Sequence, residues 1–120
     1  MGLDIFFTRK KNTQIGYFRK VNFLVKYFED KGMDVENQRP LEIFKEDAEE
    51  LAENCRKVLE NHNLAEELLP TCEGFFFGPT EYNNDYFECV QRVLDFVEGE
   101  LIPEFEELSN DESIYFEIWY

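Results

Sequence analysis

The sequence predicts an α+β fold: a single two-layer domain in which a small sheet containing both chain termini packs against three main helices. Three patterns support this. Residues 3–9 and 113–120 alternate apolar and polar side chains with a period of two, as half-buried strands do. Between them lie three stretches with apolar residues every three or four positions, the signature of amphipathic helices. The length, 120 residues, suits one domain with one core.

At the start, Leu3, Ile5 and Phe7 alternate with Asp4, Phe6 and Thr8. Phe6 makes the second face partly apolar, so this strand is either central or covered on both sides. Residues 9–14 read as a polar turn. Phe18, Val21, Leu24, Val25 and Phe28 then mark a helix from about Tyr17 to Lys31, with Gly32 as its stop. Residues 33–40 have no period and end at Pro40, so they form a loop.

Leu41 to Phe44 fits a short strand or the first turn of the next helix, and the strand is favoured. A helix from roughly Glu46 to Asn61 follows, with Ala48, Leu51, Ala52, Cys55, Val58 and Leu59 on its apolar face. Its acids come early and Arg56 and Lys57 late, the order that the helix dipole favours. Asn61-His62-Asn63 breaks the pattern, and residues 64–69 form a short helix ended by Pro70. Gly74-Phe75-Phe76-Phe77-Gly78-Pro79 reads as a short buried strand entering a tight turn.

The longest stripe runs over residues 81–108, through Tyr82, Tyr86, Val90, Val93, Val97, Leu101, Phe105 and Leu108, widened by Leu94 and Ile102. Thr80 or Asn83 caps this helix. Pro103 clashes with the carbonyl four residues back, at Gly99, so a kink is expected between Glu98 and Pro103. Residues 109–111 turn the chain into the last strand, and pairing the two terminal strands protects ends otherwise prone to fray.

Charge is unevenly distributed. Residues 1–28 carry six bases against Asp4 alone, a net of +5; residues 29–120 carry 26 acids against six bases, a net of −20, which together make the −15 of the whole chain. Such a field disfavours direct binding to nucleic acid or anionic membrane and favours a basic protein partner. No run is apolar enough to span a bilayer or to act as a signal peptide, which points to the cytoplasm. Three cysteines, an odd number, fit reduced thiols there.

No motif for catalysis, a metal or a cofactor is present, and the expected catalytic, metal and cofactor sets are empty. His62, the sole histidine, sits between two asparagines as an exposed turn residue would. Cys55 and Cys89 fall on apolar helix sides, whereas Cys72 is placed in a loop as the accessible thiol; a His62–Cys72 pair needs the fold to bring the two together. Glu81, Asp85 and Glu88 share one side of the predicted helix, where they can hold a hard cation or simply complement the dipole. Arg9, Lys10, Lys11, Arg19 and Lys20 form either an anion-binding patch or an internal ion-pair network. The stretch Gly74 to Tyr82 fixes Thr80, Glu81 and Tyr82 beside aromatic rings. The interaction candidates are therefore Arg19, Lys20, Cys72, Thr80, Glu81, Tyr82, Asp85 and Glu88.

MGLD at 1–4, IGYFRK at 15–20 and LPTCEGFFFGPTEY at 69–82 resemble the segments of a family of small uncharacterised phage and prophage proteins. Members open with MGLD, carry a GYWRK-like segment and have LPT-x-x-GFFFG-x-TEY near the middle; Phe18 stands where they often have Trp. The resemblance implies a bacterial or phage setting and no mechanism.

Two functional classes follow. One is an acidic, non-enzymatic interaction module, such as a phage-encoded modulator or a nucleic-acid mimic whose helical carboxylates occupy a basic host protein's phosphate site. The other is a small enzyme or anionic-ligand binder with a site near Arg19, Cys72 and Glu81. Self-association through Tyr115, Trp119 or Tyr120 is a further expectation, with the last strand at a sheet edge.

Overall fold

A computed structural model describes residues 2–9, 13–74 and 78–120. The chain forms β1 (Asp4–Arg9), β2 (Thr13–Arg19), α1 (Asn22–Asp30), β3 (Leu41–Ile43) and α2 (Lys45–Glu60). After a 3₁₀ turn at His62–Leu64 come α3 (Ala65–Leu68), α4 (Asn84–Phe96), a π turn at Val97–Leu101, α5 (Ile102–Glu107) and β4 (Ile114–Trp119). The sheet is antiparallel throughout, in the order β2-β1-β4-β3, so the two terminal strands are its central pair. The fold is the expected two-layer α+β arrangement, and β1 is central as Phe6 suggested.

One face of the sheet is buried. Leu3, Ile5, Phe7, Phe18, Ile43, Ile114, Phe116 and Ile118 point into it and are nearly or wholly inaccessible. Helices supply the other half of the core, with Phe23, Leu24 and Phe28 from α1, Leu51, Cys55 and Val58 from α2, and Val90, Val93 and Phe96 from α4. Aromatic rings join the layers: Phe7 lies 5.1 Å from Phe96 and 5.5 Å from Phe116, and Phe28 lies 4.5 Å from Phe116. The helices α2 and α4 run antiparallel. Lys45 reaches Glu106 at 3.6 Å, Arg56 pairs with Glu98, and His62 stacks on Phe87 with ring centroids 3.6 Å apart.

Three elements differ from expectation. Residues 13–19 form a strand, not a turn followed by the start of a helix. The register slips between Phe7 and Thr8, with Phe7 opposite Gly16 and Thr8 opposite Gln14, so Ile15 is an extra, bulged residue. The bulge breaks the period of two, and Phe18, which resembles the first apolar position of a helix, is the strand's buried anchor. Lys20, at φ +60°, ends the strand, and α1 starts only at Asn22.

The second difference is at the front of the long stripe. Residues 81–83 are not helical; α4 begins at Asn84, capped by the Asn83 side chain accepting from the Tyr86 N–H at 3.1 Å. Tyr82 therefore precedes the helix and is 36% exposed rather than part of the core.

Finally, the expected kink at Pro103 is resolved as a π turn. The Ile102 N–H reaches the Val97 carbonyl five residues back, which carries the chain past the proline without ending the helix. Of the two early expectations for residues 41–44, the strand holds, and Asp47 reaches back to the Phe44 N–H at 2.9 Å to start α2. The expected strand at 74–79 falls largely on residues 75–77, outside the described residues.

The edges of the sheet are finished differently. β3 is short, and the loop before it continues along β4: the Gln38 N–H donates to the Ile118 carbonyl at 2.7 Å, and Asn37 exchanges two hydrogen bonds with the Tyr120 backbone. β4 is consequently internal, so the expected self-association by an exposed edge of the last strand does not apply. Among the described residues no helix is long and apolar enough to cross a membrane.

Two glycines test this packing. A Cβ on Gly16 would stand 2.4 Å from the Phe96 ring, itself held by Phe7 and Phe18, whereas a Cβ on Gly99 would meet nothing within 4 Å. Gly16→Ala is expected to cost about 1–3 kcal/mol through overpacking. Gly99→Ala is expected to be neutral or to stabilise by up to about 1 kcal/mol. Urea denaturation of both variants measures the contrast, and equal effects would contradict it.

Candidate functional site

Asn22 is the only buried polar residue among the described ones, and the most clearly organised site surrounds it. Its Nδ2 donates to the Pro79 carbonyl at 3.0 Å, and its Oδ1 accepts from the Cys72 N–H at 3.2 Å. A buried amide satisfied at two points of the connection between α3 and α4 fixes both points to the start of α1. Nearby, Thr71 donates through Oγ1 to the Thr80 carbonyl at 2.9 Å, while its N–H donates to the Tyr82 hydroxyl at 3.1 Å. The Tyr86 hydroxyl donates to the Leu69 carbonyl at 2.7 Å and ties α4 to the same loop.

The N-terminal segment closes the third side. The Lys20 N–H donates to the Leu3 carbonyl at 2.7 Å, and a Cβ on Gly2 would lie 3.1 Å from Lys20 Cε. Gly78, at φ +97°, approaches so closely that a Cβ there would stand 2.9 Å from Lys20 Cβ. Segments around residues 2–4, 19–22, 69–72 and 78–82 thus meet at one place.

Between them opens a cleft of about 60 Å³ lined in part by Lys20, Asn22, Thr71, Glu81, Asp85 and Cys89. This is room for a few waters or a small ion, far below the roughly 300–1,000 Å³ of a typical small-molecule site. Lys20 makes no ion pair to any described residue, and the carboxylates of Glu81 and Asp85 share its cleft.

The eight sequence candidates separate into groups. Lys20, Glu81 and Asp85 line the cleft together. Thr80 and Tyr82 build its wall through hydrogen bonds to Thr71. Arg19 turns to the opposite sheet face, where its guanidinium pairs with Asp4 at 3.2 Å. Cys72 lies behind the wall, its Sγ donating to the Asn22 carbonyl at 3.4 Å, and the thiol that lines the cleft is Cys89 instead. Glu88 is exposed on α4 and does not line the cleft.

The carboxylate trio does not form a cation site: Glu81 precedes the helix, and no group of three or more metal-type ligands exists among the described residues. His62 is engaged with Phe87, and Cys72 with Asn22, so the two are not joined as a dyad. Burial pushes the Cys72 thiol up to about 11, with Glu29 adding to the effect, and pushes Cys55 up to about 12. Neither is an activated nucleophile.

The N-terminal bases form the internal network. Arg9 bridges Glu104 at 2.6 Å and Glu112 at 2.9 Å, clamping the end of β1 to α5 and to the turn before β4. Those two carboxylates hold the guanidinium above its ordinary value.

Sequence reasoning missed Asn22 as the anchor. Its signal was a lone amide inside the apolar run Val21-Asn22-Phe23-Leu24-Val25.

No family model, curated protein or solved structure matches the chain.

Iodoacetamide labelling resolved by peptide mass is expected to show the Cys72 rate still rising with pH beyond 9 and reaching half its maximum only near pH 11. Because folding raises this pKa from 9.0, the folded state loses stability as pH climbs across that interval. A Cys72 rate that levels by pH 8 would contradict the buried, unactivated thiol.

Proposed function

We propose that the protein is a non-enzymatic interaction module that recruits a basic protein partner. The observation that carries this reading is the allocation of charge. Arg9, Arg19, Lys26, Lys31, Arg39, Lys45, Arg56 and Lys57 all pair with carboxylates of the same chain. Many acids have no such partner: Glu46, Glu49 and Glu60 on α2, Glu66 and Glu67 on α3, and Asp85, Glu88 and Asp95 on α4 are exposed and make no ion pair with a described residue. Internal pairs absorb the described cations other than Lys20 and Arg92 and leave a surplus of carboxylates on the solvent side of the helical layer.

A field of this kind accelerates encounter with a basic surface and rejects acidic ones, more than it adds affinity. The phage-like segments suggest a phage-encoded modulator of a host protein. In the nucleic-acid-mimic form, carboxylates of the antiparallel helices α2 and α4 occupy a phosphate site, and duplex DNA competes for the partner.

A second reading, an anionic-ligand site, draws on Lys20, which faces the cleft without an ion partner among the described residues. The small volume, the separation of Arg19 from the cleft and the raised Cys72 pKa weigh against catalysis there.

Affinity capture from bacterial lysate, with mass-spectrometric identification, tests the leading reading. The expected result is a captured set enriched in basic proteins and released between about 0.15 M and 1 M salt, as the screening length falls from about 8 to 3 Å. Capture that persists unchanged at high salt, or that shows no bias toward basic proteins, would refute it.

A further inference from the structure

The sheet face turned away from the helices carries its own chemistry. Cross-strand register places its outward side chains in rows: Arg19, Asp4 and Trp119 in one, Tyr17, Phe6 and Glu117 in the next, and Gln14, Thr8, Tyr115 and Glu42 in a third. Tyr17 and Trp119 are 45% and 44% exposed and lie on this one face with Phe6, so the exposed rings are grouped rather than scattered. Phe6 and Tyr17 sit 5.3 Å apart, the Tyr17 hydroxyl donates to Asp4 at 2.6 Å, and Trp119 Nε1 donates to Glu117. A shallow depression of about 330 Å³ lies over Phe6, Thr8, Gln14, Glu117 and Trp119.

We propose that this face is the docking surface for an arginine- or lysine-bearing segment of the basic partner, a refinement that rests on the function proposed above. Glu117 is the carboxylate of the depression and makes no ion pair with a described residue, and aromatic rings flank it. A guanidinium or ammonium entering there meets a carboxylate beside the rings of Trp119 and Phe6, so ionic attraction and cation–π attraction act on one group. Arg19, the neighbouring cation, is held by Asp4 and does not compete for Glu117. The charge of −15 favours a basic occupant over a second copy of this chain, which would bring like charge to the contact.

Trp119 is the sole tryptophan, so its fluorescence reports on this face directly. Hexa-arginine amide is the probe and hexaglutamate the control, titrated at low salt into the intact protein and into Glu117→Gln and Glu29→Gln variants. Glu29 lies exposed near the end of α1, off the sheet face and outside the carboxylates of α2, α3 and α4 named above, and matches the charge change. The expected result is a saturable Trp119 signal with hexa-arginine alone, weakened about tenfold by Glu117→Gln and less than about twofold by Glu29→Gln, as loss of one charge-assisted contact implies. Equal weakening by both variants, or binding seen calorimetrically with Trp119 silent, would overturn this docking surface while leaving a basic partner standing. Absence of any hexa-arginine binding would overturn both proposals. A concentration-dependent dimer in sedimentation that Trp119→Ala abolishes would assign the face to self-association and overturn the inference as well.

Discussion

The ring of Phe7 lies 5.1 Å from Phe96, 5.5 Å from Phe116 and 6.2 Å from Phe18, so four separate elements share one aromatic contact. That contact exists only because β1 is flanked on both sides, by β2 and by β4, and because its odd-numbered side chains all face the helices. A one-residue slip of β1 would exchange Leu3, Ile5 and Phe7 for Asp4, Phe6 and Thr8 at the core. Burial of this face thus sets the register of the sheet. The register in turn places α1 and α4 where Asn22 can hold Cys72 and Pro79 of the α3–α4 connection.

Electrostatics follow from that frame more than they create it. Most of the ion pairs are at least partly exposed, and each such pair contributes only about 0–1 kcal/mol. Their larger effect is on what remains at the surface. With eight of the described bases held in internal pairs, the helical layer shows surplus carboxylates and the opposite sheet face shows aromatic rings beside Glu117 and Asp4. The two faces are chemically distinct. The sheet face combines exposed rings with carboxylates.

Clean periods were legible in the sequence. Strands β1 and β4, the helices α2 and α4, and the proximity of the termini all came from alternation or 3.6-residue spacing. β2 was not legible because the bulge at Ile15 interrupts its alternation and Gly16 leaves a core position without a side chain for the Phe96 ring to fill. Phe18 then fell into phase with the apolar residues of α1. The spacing of Tyr82 four residues before Tyr86 extends the predicted helix back to Glu81 and Tyr82, although Asn83 caps the helix just beyond them. Spacing alone does not say where a cap falls. The site was half legible: Lys20, Glu81 and Asp85 do meet, but Asn22 and Cys89 needed the tertiary fold to reveal them.

The claim on which this account depends is that β1 and β4, although they lie near the chain ends, are the most cooperative part of the molecule. Native-state hydrogen exchange of the amides of Ile5, Phe7, Phe116 and Ile118 measures it most directly. The account predicts that all four exchange only through global opening, with the same free energy as denaturant unfolding. Exchange of the β1 amides through a separate, lower-energy fraying of the N-terminal segment would contradict it.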